Sequence, residues 1–244
     1  MVEKKTAEKS VGKKNETVEL ARVPMTAATF EEKVQHASCG NSRDDNFRAL
    51  ELKGVTVENK DLNSAEFHFS KFTDVVFNAV NLHCAEFFFA EFENVRFVGC
   101  SIERANFNYG KFNGVTFDHC LLDCTEFDMI AGKADFVECS MRRTEFPMAS
   151  AELTMTRCAN HGSEFNGCLG LKLTASESDF QAAEFNDSKI EGGFTRCVFT
   201  DAEFNGSDGS EAVFSSCSMR SIETRGASGI EVADSDDDDD DFDL

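Results

Sequence analysis

Tryptophan is absent from the 244 residues, tyrosine occurs once and proline twice, so the aromatic content is almost wholly 25 phenylalanines. A core that uses one ring shape so exclusively points to a single packing unit repeated many times. No apolar run approaches the roughly 20 residues that a membrane helix needs. Basic residues are scarce: 24 Lys and Arg against 45 Asp and Glu give a formal charge of −21. That balance argues against direct binding of nucleic acid or of an anionic membrane, which both require cations to meet phosphate. The opening MVEKKTAEKS has no apolar stretch of signal-peptide type and carries Glu3 and Glu8, which transit peptides avoid. An intracellular, cytoplasmic setting is therefore expected, with the nucleus or a larger assembly as alternatives. No phosphate-cradling loop and no nucleophile or metal set of usual spacing occurs. The expectation is a protein that is not an enzyme, with no catalytic residue, no metal and no cofactor.

What the chain does contain is a returning phrase. It reads SAEF at Ser64 to Phe67, CAEF at Cys84 to Phe87, RANF at Arg104 to Phe107 and CTEF at Cys124 to Phe127. It continues as RTEF to Phe146, GSEF to Phe165, AAEF to Phe185 and DAEF to Phe204, always twenty or nineteen residues on. Beneath it runs a shorter period. Large apolar residues stand at every fifth position from Phe47 through Leu52, Val57, Leu62 and Phe67 to Phe127. From Ala65 on, a small or slim residue precedes each by two. Neither an α-helix at 3.6 residues per turn nor a strand at 2.0 produces a period of five.

From Phe47 to Met219 this pattern resembles the pentapeptide-repeat family, whose unit is a small residue, a polar residue, Leu or Phe, and two variable positions. The resemblance implies an all-β solenoid: a right-handed quadrilateral β-helix of about nine coils, each coil built from four five-residue sides. Large and small residues both point inward, and coils stack at about 4.8 Å, giving a rod roughly 40 to 45 Å long. Phe47, Phe67, Phe87, Phe107, Phe127, Phe146, Phe165, Phe185 and Phe204 should form one inward ladder, failing at Thr224. A second should stack Phe77, Phe97, Phe117, Phe136, Met155, Ala175, Phe194 and Phe214. The nineteen-residue steps should be shortened corners around Met129 to Lys133, Pro147 to Ser150 and Lys189 to Phe194.

The ends differ from the middle. Residues 1–24 are polar and Lys-rich, and read as a flexible arm. Within 25–42, Thr26 is a candidate N-cap, followed by Ala27, Phe30, Val34 and Ala37 at helical spacing, as in a helix that caps the first coil. Residues 43–233 hold the repeats. Residues 234–244 form an acidic tail, expected to be disordered alone; its −8 and the roughly +1 of residues 1–39 leave about −14 of the −21 on the repeats.

Four groups of residues are candidates for function. Cys100, Cys120, Cys139, Cys158, Cys197 and Cys217 share one face and, with Cys168 on another, take the small inward position; buried free Cys packs like a small apolar residue. Cys39, Cys84 and Cys124 lie outside that position and are the better candidates for reactive thiols. Glu66, Glu86, Glu126, Glu145, Glu164, Glu184 and Glu203, interrupted by Asn106, form an outward acidic column in which like charges stand one strand spacing apart. Phe69, Phe89, Tyr109, Met129 and Met148, with Phe88 beside them, form an outward apolar stripe confined to the N-terminal half, and contiguous stripes of that kind mark binding surfaces. The alternative is that corner packing or the N-terminal arm covers it. In the tail, Phe242 and Leu244 are apolar residues among aspartates, suited to a basic groove or to the Lys-rich arm.

The reading that follows is a non-catalytic interaction or structural module in a larger assembly. Its partner would be another protein, a basic one fitting the charge, or a second copy of the chain. Some members of the family that the chain resembles imitate DNA in shape and charge and inhibit type II topoisomerases, which supplies the alternative reading. Those members are usually built around Leu more than Phe, and some rely on projecting loops that the unbroken series here lacks.

Overall fold

The computed structural model describes residues 22–37 and 46–230. The tail with Phe242 and Leu244, the thiol of Cys39 and nearly all of the arm lie outside them. Val23–Met25 forms strand β1, inside the stretch read as an arm, and Ala27–Ala37 forms helix α1. Strands β2 (Leu50–Lys53), β3 (Thr56–Glu58), β4 (Lys71–Thr73), β5 (Val76–Asn78), β6 (Glu91–Glu93) and β7 (Arg96–Val98) are short. The later ones are mostly longer: β8 (Lys111–Asp118), β9 (Ala131–Val137), β10 (Ser150–Thr156), β11 (Lys172–Ser176), β12 (Lys189–Thr195) and β13 (Asp208–Ser215). Each pairs in parallel with the equivalent strand one coil away, as in Phe77 against Phe97 and Phe97 against Phe117. Nine successive single bridges, from Asn46–Glu66 to Glu203–Glu223, join the coils along the corner that carries the repeated phrase. The chain is a parallel β-solenoid.

Why a five-residue unit closes into four sides is visible in the backbone. Every fifth residue from Ala49 to Met129 has a positive φ, between 52° and 69°. A left-handed residue reverses the local twist and turns the corner, so four of them close a coil of twenty. Most are not glycine, and each such L-residue costs about 1–2 kcal/mol. Burial offsets that cost. The main Phe ladder stacks with ring centroids 4.7–5.0 Å apart from Phe47 to Phe204, and each buried ring contributes about 1.5–3 kcal/mol.

The small inward position has a second task. Its hydroxyl or thiol donates to the carbonyl of a large inward residue one coil earlier: Ser70 to Phe47 O at 2.8 Å, Thr125 to Ile102 O at 2.9 Å and Ser163 to Met141 O at 2.7 Å. The cysteines do the same. Cys100 Sγ donates to Phe77 O at 3.3 Å, Cys139 to Phe117 O at 3.4 Å and Cys168 to Phe146 O at 3.1 Å. Ser178 fills the gap between Cys158 and Cys197 with the same bond, to Met155 O at 3.4 Å.

At the N-terminal end, Phe30 and Val34 of α1 are buried against the first coil, Phe30 lying 5.4 Å from the Phe47 ring. The Thr29 amide donates to Thr26 Oγ1 at 3.2 Å, so Thr26 caps the helix. The shortened corners fall only partly where the spacing placed them. Register slips once between β8 and β9, where Gly114 has no counterpart and Asn113 and Val115 face Lys133 and Ala134. From Pro147 to Ser150 nothing is lost: β9 and β10 stay in register throughout, so the second short coil simply inherits the flattened corner. That expectation is corrected by the pairing. The next steps are nineteen from Glu145 to Glu164 but twenty from Glu152 to Lys172, so one residue returns near Leu169–Gly170. A further slip lies between Lys189 and Glu191.

Candidate docking surface

The position two residues after the ladder Phe is a left-handed corner. It is held by Phe69 (φ 60°), Phe89 (57°), Tyr109 (60°), Met129 (52°) and Met148 (53°), and then by Gly167 (68°), Asp187 (54°) and Gly206 (70°). Turning the corner points these side chains away from the core. Phe69 is 39% exposed, Phe89 42%, Met129 38% and Met148 51%. The rings form one cluster: Phe69 stacks on Phe89 at 5.4 Å, Phe89 on Tyr109 at 4.8 Å, and Phe88 meets Phe89 and Tyr109 edge-on at 4.6 and 5.1 Å. All six residues thus belong to one face. Leu169, 75% exposed two residues past the Gly167 corner, extends the apolar surface. The inserted residue beside it disguised its position in the five-residue count.

The residues directly after the ladder Phe were missed by the sequence reading, and they divide the face in two. In the C-terminal half they are Asn166, Asn186 and Asn205. Each accepts the backbone N–H of the next coil through Oδ1, at 2.8 Å from Asn186 N, 2.9 Å from Asn205 N and 2.9 Å from Arg225 N. Each also donates Nδ2 to the next coil's glutamate: Asn166 to Glu184 at 2.9 Å, Asn186 to Glu203 at 3.1 Å and Asn205 to Glu223 at 3.3 Å. The recurrence of EFN was the available signal. In the N-terminal half, His68, Phe88, Asp128 and Pro147 replace the amides, and only Asn108 staples, to Asp128 N at 2.7 Å and Glu126 at 2.9 Å. Pro147 has no N–H to offer, and Asp128 Oδ1 is buried without a partner.

The acidic column is therefore not a bare row of charge. Arg48 pairs with Glu66 at 2.8 Å, and Asn106 donates to Glu126 at 2.9 Å. Around the broken staple the carboxylates do crowd. Burial, then Glu164, Glu126 and Asp128, push Glu145 above the usual carboxylate range. Glu164 is raised by burial and Glu184, and Asp128 by burial and Glu126. Among the described residues none of these carboxylates forms an ion pair with a histidine; His119 pairs instead with Asp118 and Glu138, outside the column. A shallow depression of about 230 Å³ next to the stripe is lined by Lys71, Glu91, Glu93, Lys111 and Asn113, above Phe92 and Phe112. Its charges already answer one another, Lys111 with Glu91 at 3.3 Å and Lys71 with Glu93 at 3.8 Å.

Among the thiols, Cys84 is half-buried and Cys124 exposed, both on left-handed corners. The inward cysteines are buried except Cys217, which is half-buried. Burial lifts the Cys168 and Cys197 thiols to about 11, which leaves them protonated and unreactive.

Geometry alone defines the class: a non-globular solenoid of five-residue units whose variable positions are all surface. A family model of pentapeptide repeats, eight copies long, matches residues 85–123, and the same corner geometry continues on both sides of that match. The matched stretch is a run of pentapeptide repeats, and the flanking coils resemble it in backbone geometry. No curated protein matches it. Among solved structures it is similar to HetL, a pentapeptide repeat protein involved in heterocyst differentiation regulation in the cyanobacterium Nostoc sp. strain PCC 7120, at 14% identity over 83% of this chain and 96% of that one, with a TM-score of 0.40. Full-length QnrB1, a plasmid-mediated fluoroquinolone resistance protein, is 16% identical over 75% and 92% of the two chains, with a TM-score of 0.37. A pentapeptide repeat protein of the Arabidopsis thaliana thylakoid lumen is 16% identical over 51% and 68%, with a TM-score of 0.31.

Proposed function

We propose that this protein is a non-catalytic docking module whose binding face is the stripe of Phe69, Phe88, Phe89, Tyr109, Met129 and Met148. One observation carries the reading: a single face is built in two ways. In the C-terminal half its corners hold Gly167, Asp187 and Gly206 beside an asparagine staple, residues suited to a left-handed turn and a stable ladder. In the N-terminal half the same backbone carries bulky side chains, Phe69, Phe89, Met129 and Met148 exposed and Tyr109 half-buried, at positions where they add conformational cost. Stability does not account for that choice, whereas contact with another macromolecule does. The flanking carboxylates favour a partner with basic residues around an apolar centre, in the cytoplasm or within a larger assembly.

The test is comparative capture of partners from the native cell by the wild-type chain and by a variant carrying F69G, F89G and Y109G, which copies the Gly167 and Gly206 corners. A partner retained by the wild type and lost by the variant supports the reading. Identical sets would refute it. The charge of about −14 on the repeats supports a second reading, a rod that imitates DNA before a DNA-processing enzyme. Absence of inhibition in a gyrase supercoiling assay at micromolar protein would remove it.

A further inference from the structure

The described chain starts at the head of the stripe. Strand β1 lies on the free edge of β2, with Val23 N donating to Ala49 O at 2.7 Å, and Ala49 is the corner directly above Phe69 in the same column. The side chain of Arg22 crosses from that column to the charged depression beside it. Its Nε donates to Phe69 O at 3.1 Å, and its guanidinium pairs with Glu91 at 3.1 Å, two coils from its own entry point. Arg22 and Lys111 together hold the Glu91 carboxyl below its usual range against the opposing effect of burial. So the first side chain before β1 already reaches the edge of the stripe.

We propose that the segment preceding Arg22 docks in cis along this stripe, with Val18 and Leu20 on the ring cluster and Lys13 and Lys14 reaching the carboxylates at its far end. The proposal rests on the reading of the stripe as a docking face and supplies its resting occupant. Reach is sufficient: from Phe69 to Met148 is four coil spacings, about 19 Å, which six extended residues span. Chemistry matches as well. In an extended chain Val18 and Leu20 fall on the same side as Arg22, because alternate side chains share a face. Lys13 and Lys14, nine and eight residues before Arg22, would meet the crowded group of Glu126, Asp128, Glu145 and Glu164. Among the described residues no ion pair joins any of these four to a cation. An outside partner would then bind by displacing the chain's own arm, a cover at high effective concentration.

Tyr109 is the only tyrosine in a chain without tryptophan, so tyrosine emission reports on the stripe alone. Acrylamide quenching of that emission should be measured on the whole chain, on a variant lacking residues 1–20 and on the V18S/L20S double variant. Both variants should show a quenching constant raised by about twofold, since an intramolecular cover leaves its site mostly occupied. High salt should raise it in the whole chain by a smaller factor. Equal constants in all three proteins would overturn the proposal, as would protection that appears only with rising concentration and a doubled mass by light scattering, which would make a second copy the occupant. Should the truncated chain fail to fold, the double variant decides. The outcomes separate the two readings: equal quenching with capture still lost in F69G/F89G/Y109G removes the arm and keeps the docking face, while raised quenching with unchanged capture does the reverse.

Discussion

Asn160 takes an inward position that Met141 and Phe180 hold in the neighbouring coils, with Ile102 and Leu122 further along. Its side chain is fully buried, its Nδ2 makes one long bond to Cys158 O at 3.4 Å, and its Oδ1 has no partner. A buried acceptor without a donor is costly, and N160L removes it while keeping the volume. The expected gain is about 1–3 kcal/mol, measured as a shift in the denaturant midpoint. Gly132 shows the opposite case. Its φ is 104°, and a Cβ there would sit 1.8 Å from the Phe112 carbonyl oxygen, backbone that cannot swing aside. G132A should cost about 3 kcal/mol or more, visible as the loss of a cooperative thermal transition at the wild-type temperature. Positions of this kind explain what could be read beforehand. The large and small inward residues were legible because each is selected by the same cavity, coil after coil. The left-handed corners were not, since they accept Phe, Arg, Cys, Asp and Gly alike, and a conformational demand met by so many residue types leaves no pattern.

At the scale of the ladder, the scaffold depends on stacked rings and the face depends on how amides meet carboxylates. F107A would remove a ring stacked at 4.7 Å on Phe87 and 5.0 Å on Phe127, and should cost about 3–5 kcal/mol in chemical denaturation. The glutamate column responds to pH. Glu145 and Glu164 have raised pKa values, so the folded chain keeps protons that the unfolded chain has already released between the ordinary carboxylate value and the raised one. Stability contributed by these groups therefore falls as pH rises through that window. E145Q should raise the melting temperature at neutral pH and leave it unchanged below the window; a gain that grew on acidification would contradict the sign. The column itself was legible from the repeated Glu–Phe phrase. Its hydrogen bonding by Asn166, Asn186 and Asn205 was not, because the staple needs the position after Phe to be compared across coils, and Phe88, Asp128 and Pro147 interrupt that comparison.

The whole molecule is a rod with a cap at one end and one face divided between staple and stripe. Phe30 and Val34 close the N-terminal coil, and Arg22 contacts the Phe69 carbonyl at the edge of the stripe. Sequence periodicity foresaw the solenoid; it could not show that the described chain enters beside Phe69, which depends on the pairing of β1 with β2. The central claim is that the stripe is surface and not scaffold. Replacing Phe69, Phe89 and Tyr109 with glycine relieves about 1 kcal/mol of left-handed strain at each corner and forfeits ring contacts worth about 0.5–1.5 kcal/mol each, so the two effects nearly cancel. Thermal unfolding of F69G/F89G/Y109G, followed by far-ultraviolet circular dichroism, tests this most directly. The midpoint should stay within about 3 °C of the wild type. A fall of about 10 °C or more would show that the rings hold the solenoid together, and would contradict the assignment of this face to docking.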